Sequence, residues 1–126
     1  METKKVYALH EENKEWLSKL AFYKDEIKVM GNRVAEIASK NTSKDILSLV
    51  EHFQNQLIVQ RNNIDELAHS INDHETYLVN RAKENPTAID HRSVNDHPVM
   101  RDSFNSFEKV INELRKELNL FLTKTM

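Results

Sequence analysis

A seven-residue apolar rhythm runs through three long segments of this chain with almost no interruption. At helical a and d positions the first segment places Val6, Leu9, Asn13, Trp16, Leu20, Tyr23, Ile27, Met30, Val34 and Ile37. The second places Ile46, Val50, Phe53, Leu57, Gln60, Ile64, Leu67, Ile71, His74, Leu78 and Arg81. The third places Met100, Phe104, Phe107, Ile111, Leu114, Leu118 and Phe121. Only Asn13, Gln60, His74 and Arg81 break the apolar series, although just 39% of the chain is hydrophobic. A seam held at this spacing over such lengths keeps one face of each helix turned toward a neighbour. It predicts an all-α protein.

The boundaries of the helices are well punctuated. A first helix is expected over about residues 4–40, continuous through Gly31 because Ile27, Met30, Val34 and Ile37 hold one register across it; the glycine costs about 1 kcal/mol relative to alanine. Asn41 suits the left-handed position after a helix. Thr42, followed three residues later by Asp45, resembles a capping box and starts a second helix over about 43–85, which Pro86 ends. Residues 86–96 read as a loop. Asp96, His97 and Pro98 read as an acidic cap with proline in the first turn, opening a third helix over about 97–124.

The short first connection makes helices 1 and 2 an antiparallel hairpin, with Ile37 opposite Ile46, Val34 opposite Val50, Trp16 opposite Leu67 and Leu9 opposite His74. Tyr23 then faces Gln60 as a hydrogen-bonded polar break. The e positions of the hairpin offer the small or apolar Leu17, Gly31, Ala38, Leu47, Ala68 and Ala82, and the g positions carry the polar Glu12, Lys19, Glu26, Arg33, Gln56 and Asn63. The third helix is therefore expected on the e side, giving an up-down-up bundle of three helices in a single domain spanning 1–126. Being shorter, it would leave the hairpin tip around Val34, Ile37, Ile46 and Val50 partly uncovered.

Composition removes several function classes. The chain has no cysteine, so thiolate metal sites and disulfides are out. It has a single glycine, too few for phosphate-cradling loops or dinucleotide folds. Net charge is −2 with both signs interspersed, and Lys14, Lys19, Lys24 and Lys28 are mixed with Glu15, Asp25 and Glu26. That is a solvated helix face, not the basic stripe nucleic acid requires. Neither an apolar leader nor a run long enough to span a membrane is seen, and the expected location is the cytoplasm. No motif sets a nucleophile beside a base with an oriented third group, so an enzyme is not expected.

Two candidate sites remain. The register gathers His10, His74 and His97 at one pole of the bundle, with His91 in the preceding loop and Glu75, Asp90, Asp96 and Glu11 or Glu12 nearby. Imidazole and carboxylate groups converging from three helices are the donor set for one zinc or other first-row transition metal, with His10, His74, Glu75 and His97 as ligands. Against this stands a simple structural role, His74 being satisfied by Asn13, Glu75 or a carbonyl. Glu66 and His69 match the E-x-x-H of di-iron bundles but fall on the outward face, as does His52. The second candidate is an apolar stripe of Phe22, Val29, Leu49, Val59 and Tyr77 at c and g positions, on the side away from the expected third helix. Such patches mark interfaces, and a second copy or a helical partner would complete a larger bundle there; the alternative is that the third helix covers them. The reading favoured is a self-associating, non-enzymatic interaction or scaffold module, most simply a homodimer without a cofactor. The runner-up is a metal-binding bundle.

Overall fold

The computed structural model of the protein describes residues 2–84 and 91–125. Three helices account for nearly all of them: α1 (Glu2–Lys40), α2 (Lys44–Glu84) and α3 (His91–Thr125). They pack as an up-down-up bundle, all-α as the heptads require, and among the described residues there is no strand. The a and d side chains form one continuous core from Trp16 to Ile37 on α1, Val50 to Ile71 on α2 and Phe104 to Phe121 on α3, and Leu78 is buried beyond it. Three of the polar interruptions, Asn13, Gln60 and His74, are buried with it.

The turn between α1 and α2 is held by side chains rather than by backbone handedness. No non-glycine residue among those described has a positive φ, so Asn41 is not left-handed. Its Nδ2 instead donates to the Ile37 carbonyl at 2.8 Å, satisfying an orphan acceptor of the last turn. The cap of α2 is Ser43, one residue later than expected. Its Oγ accepts from the Ile46 amide at 3.5 Å, and its carbonyl accepts from the Leu47 amide at 2.9 Å.

α3 departs from expectation at its start. It begins at His91, so Pro98 lies inside the helix rather than in its first turn. One missing N–H removes one backbone bond, and that is too little to end a helix whose buried face already includes His97 and Phe104. Its other end, at Thr125, lies close to the expected 124 and still reaches the hairpin tip. Phe121 packs on Phe53 at 5.0 Å between ring centroids, Leu122 is buried beside it, and Val34, Ile37 and Val50 are all covered.

The largest correction concerns the side on which α3 docks. It lies against the g positions of the hairpin, not the small e positions. Arg101, Glu108 and Arg115, the e row of α3, face Glu12, Lys19 and Glu26, the g row of α1. Arg101 Nη2 to Glu12 is 2.6 Å, Lys19 Nζ to Glu108 is 3.9 Å and Arg115 Nη2 to Glu26 is 2.5 Å. The pairs recur at a constant separation of 89 residues, as two parallel helices in one register demand. Small residues at e permit an approach, but six alternating charges on the other side reward one. Tyr23 follows α3: its hydroxyl donates to Glu108 Oε2 at 2.6 Å, and Gln60 Oε1 instead accepts from Asn63 at 3.4 Å.

Candidate functional site

The histidine pole is real as a place. Its groups join into two hydrogen-bonded chains, not one ligand sphere. In the first, His97 is 1% exposed and its Nε2 lies 2.5 Å from Glu12 Oε1. Its Nδ1 lies 3.0 Å from Nε2 of His74, which is 7% exposed. Glu12 is gripped from outside by Arg101, and that hydrogen bond holds its carboxyl below the usual carboxylate range against the opposing effect of burial; His97 adds to the lowering. The His97 ring stacks on Trp16 at 4.9 Å, and Trp16 in turn stacks on Phe104. The second chain links α1 to α2: His10 Nδ1 lies 2.5 Å from Glu75 Oε1, and Asn13 Nδ2 donates to Glu75 Oε2 at 3.0 Å.

The four residues expected as metal ligands are therefore engaged with one another or with Glu12 and Asn13. Among the described residues no group of three or more histidine and acidic side chains is arranged to hold a metal ion. His91 and Asp90 lie outside the described side chains. Among the described residues, one buried polar atom at the pole lacks a partner: Asn13 Oδ1 accepts no hydrogen bond. Glu66, His69 and His52 are exposed, as their outward register requires.

The apolar stripe is divided by α3. Phe22 and Val29, 61% and 52% exposed, flank it on the α1 side, while Leu49 and Val59 are exposed on the α2 side. Tyr77 is half-buried and lines a small cleft with His74, Asp96 and Met100. The five do not make one patch, because the helix expected on the far side occupies the space between their two rows.

Docking on the g side leaves the e side open, and an unforeseen groove lies there. It is a cleft of about 700 Å³ between α1 and α2, with Ile27, Leu57 and Ile58 on its floor and Lys24, Lys28, Gln54 and Arg61 around it. Ile58 is 58% exposed. Gly31 also lines the groove, and a Cβ added there would meet nothing within 4 Å. Lys24 is paired with Asp65 across the seam at 2.8 Å, whereas among the described residues Lys28 and Arg61 make no ion pair. Of the small e residues Gly31 lines the groove, and the other e residues there are Lys24, Gln54 and Arg61.

No described helix is long and apolar enough to cross a membrane. No known protein family, no curated protein and no solved structure matches the chain.

Proposed function

We propose that this protein is a non-enzymatic interaction module that self-associates head to tail, with one copy's α1 seated in the α1–α2 groove of the next. The observation that carries this reading is the groove itself, with Gly31 in its lining. A glycine inside a 39-residue helix costs about 1 kcal/mol relative to alanine. No neighbour within the chain needs its missing side chain, so the close approach it permits is one from outside.

The occupant is argued from complementarity. The c row of α1 reads Glu15, Phe22, Val29 and Glu36, two exposed apolar side chains between two exposed acids. The groove reads in the opposite sense, with apolar Ile27, Leu57 and Ile58 beside Lys28 and Arg61, and Asp25 as the one acid in its lining. The acids already make exposed i,i+4 pairs with Lys19 and Lys40, which are weak enough to exchange. Ridge and groove are different surfaces of the same chain, so the contact is heterologous and builds a ring or an open row instead of a closed two-fold dimer.

Sedimentation equilibrium over a concentration series tests this. The native chain should exceed the mass of one copy, and Phe22→Glu and Ile58→Glu should each be monomeric with helicity intact. Mixed together, they should form a complex of two chains and stop, because each retains only one working surface. A native chain that stays monomeric, or a mixture that stays dissociated, sinks the proposal.

A further inference from the structure

We infer that the α1–α2 groove also binds a free amphipathic organic anion, an aliphatic tail with a single carboxylate head, and that this ligand competes with the neighbouring copy for the same seat. The competition rests on the self-association reading above; the binding does not. Two chemistries meet in the lining. Ile27 and Leu57 are buried and Ile58 is 58% exposed, so together they offer an apolar wall to a tail. Lys24, Lys28 and Arg61 stand beside them against the single acid Asp25, in a chain whose net charge is −2. Lys24 is held by Asp65 at 2.8 Å, which leaves Lys28 and Arg61 to meet a head group. Their long stems can lie along the apolar wall while the charged ends stay in water.

The class of ligand follows from what the seat holds and what it lacks. Two uncommitted cations beside one acid suit a head with one negative charge better than a polyanion. The carboxamides of Gln54 and Asn55, also in the lining, can donate to a carboxylate oxygen. None of the lining residues is aromatic, so there is no ring on which a nucleotide base or another flat anion would stack. Gly31 keeps the space beside the tail open, since an added Cβ would meet nothing within 4 Å. The groove measures about 700 Å³, within the range of about 300–1,000 Å³ usual for small-molecule sites. It is a cleft between two helices, so it takes one molecule at a time and not the surface of a bilayer. The exposed ridge of the neighbouring copy presents the same pairing in protein form, Phe22 and Val29 between Glu15 and Glu36.

Calorimetric titration with dodecanoate, kept below the concentration at which it forms micelles, tests the binding. It is made on the Phe22→Glu chain, where no neighbouring copy fills the groove. One dodecanoate should bind per chain, and dodecyltrimethylammonium, with the same tail and the opposite head, should not bind. Adding Arg61→Glu should weaken dodecanoate by about tenfold or more, the scale of reversing one close charge. Gly31→Leu places a side chain in the seat and a better helix former in α1, so it should abolish binding and melt no lower. In the native chain, sedimentation equilibrium should show dodecanoate returning the assembly to single copies. Two amphiphiles that bind alike, or undiminished binding in Gly31→Leu, overturn the inference, and an assembly unmoved by saturating dodecanoate overturns the competition. A native chain that is monomeric without ligand sinks self-association alone, because the titration of Phe22→Glu answers for the groove by itself.

Discussion

α3 meets its two neighbours by different means. Against α1 it carries a ladder of opposite charges, Glu12 with Arg101, Lys19 with Glu108 and Glu26 with Arg115, and the sign alternates from rung to rung. Against α2 it is nearly uncharged: the cleft of about 390 Å³ along that seam is lined by Asn63, Ser70, Ser103, Ser106 and Val110, with Glu66 at its edge. Both seams bury the same a and d core, so burial cannot distinguish one register from another a heptad away. The ladder can. A slip of one heptad in one direction sets Glu12 against Glu108 and Lys19 against Arg115; a slip in the other sets Lys19 against Arg101 and Glu26 against Glu108. Alternation thus makes neighbouring registers repulsive. One seam supplies packing and the His74–His97 hydrogen bond, and the other also supplies an address.

Reversing a rung should do the most damage. The Arg115–Glu26 contact is forked, with Arg115 Nε reaching both carboxylate oxygens at 3.1 Å, and both side chains are more than two-thirds buried. Glu26→Arg should therefore cost about 2–3 kcal/mol, read as a lower urea midpoint. The exchange of both, Glu26→Arg with Arg115→Glu, should restore most of that. Full restoration is not expected, because the Arg115 guanidinium also lies 5.9 Å from the Tyr23 ring centroid. A double variant no better than the single one would show that the ladder's signs carry no information.

Tyr23 sharpens the same contrast, being the core side chain that reaches into the ladder. Burial, and then the Glu108 carboxylate that accepts its hydroxyl, push the phenol up to about 12. An acid whose folded value lies above its unfolded value, about 10, stabilises the protein fully below the unfolded value. That contribution is lost as pH rises from about 10 through 12. Tyr23→Phe should lower stability at neutral pH by about 1–2 kcal/mol. It should also flatten the alkaline decline, so that the two melting curves converge above pH 11. Parallel declines would assign the alkaline loss to other groups.

These details mark how far the sequence could be read. Apolar periodicity gave the helix class, the hairpin and the pole, because burial of a stripe depends only on spacing. It did not give the docking side. The e row looked inviting through Gly31, Ala38 and Ala68, and smallness is a permission that any helix can use. The deciding signal was the relation between two distant rows, Glu12–Lys19–Glu26 and Arg101–Glu108–Arg115, visible only when their signs are laid against each other. His74 and His97 were placed correctly at one pole, but whether imidazoles bond to each other or converge on an ion depends on rotamers that spacing does not encode. Pro98 misled for a simpler reason: a proline signals a helix start more often than it causes one.

If the ladder supplies direction more than energy, a charge pair built into the uncharged seam should contribute very little. Ser70 and Ser103 both line the α2–α3 cleft and both are exposed. Ser70→Lys with Ser103→Glu would create one new rung there. Exposed pairs gain little Coulomb energy in water and lose side-chain freedom, so the gain should stay below about 0.5 kcal/mol and disappear in high salt. The informative measurement is made in the Glu26→Arg background, where the native address is damaged. There the added rung should recover only its own small increment, leaving the urea midpoint well below that of the native chain. Recovery of the whole deficit would mean that any charge pair along α3 serves equally, and that the order of signs on α1 is incidental. Recovery of the increment alone would leave register discrimination with the alternating row, since a single pair can favour one alignment but cannot penalise its neighbours on both sides.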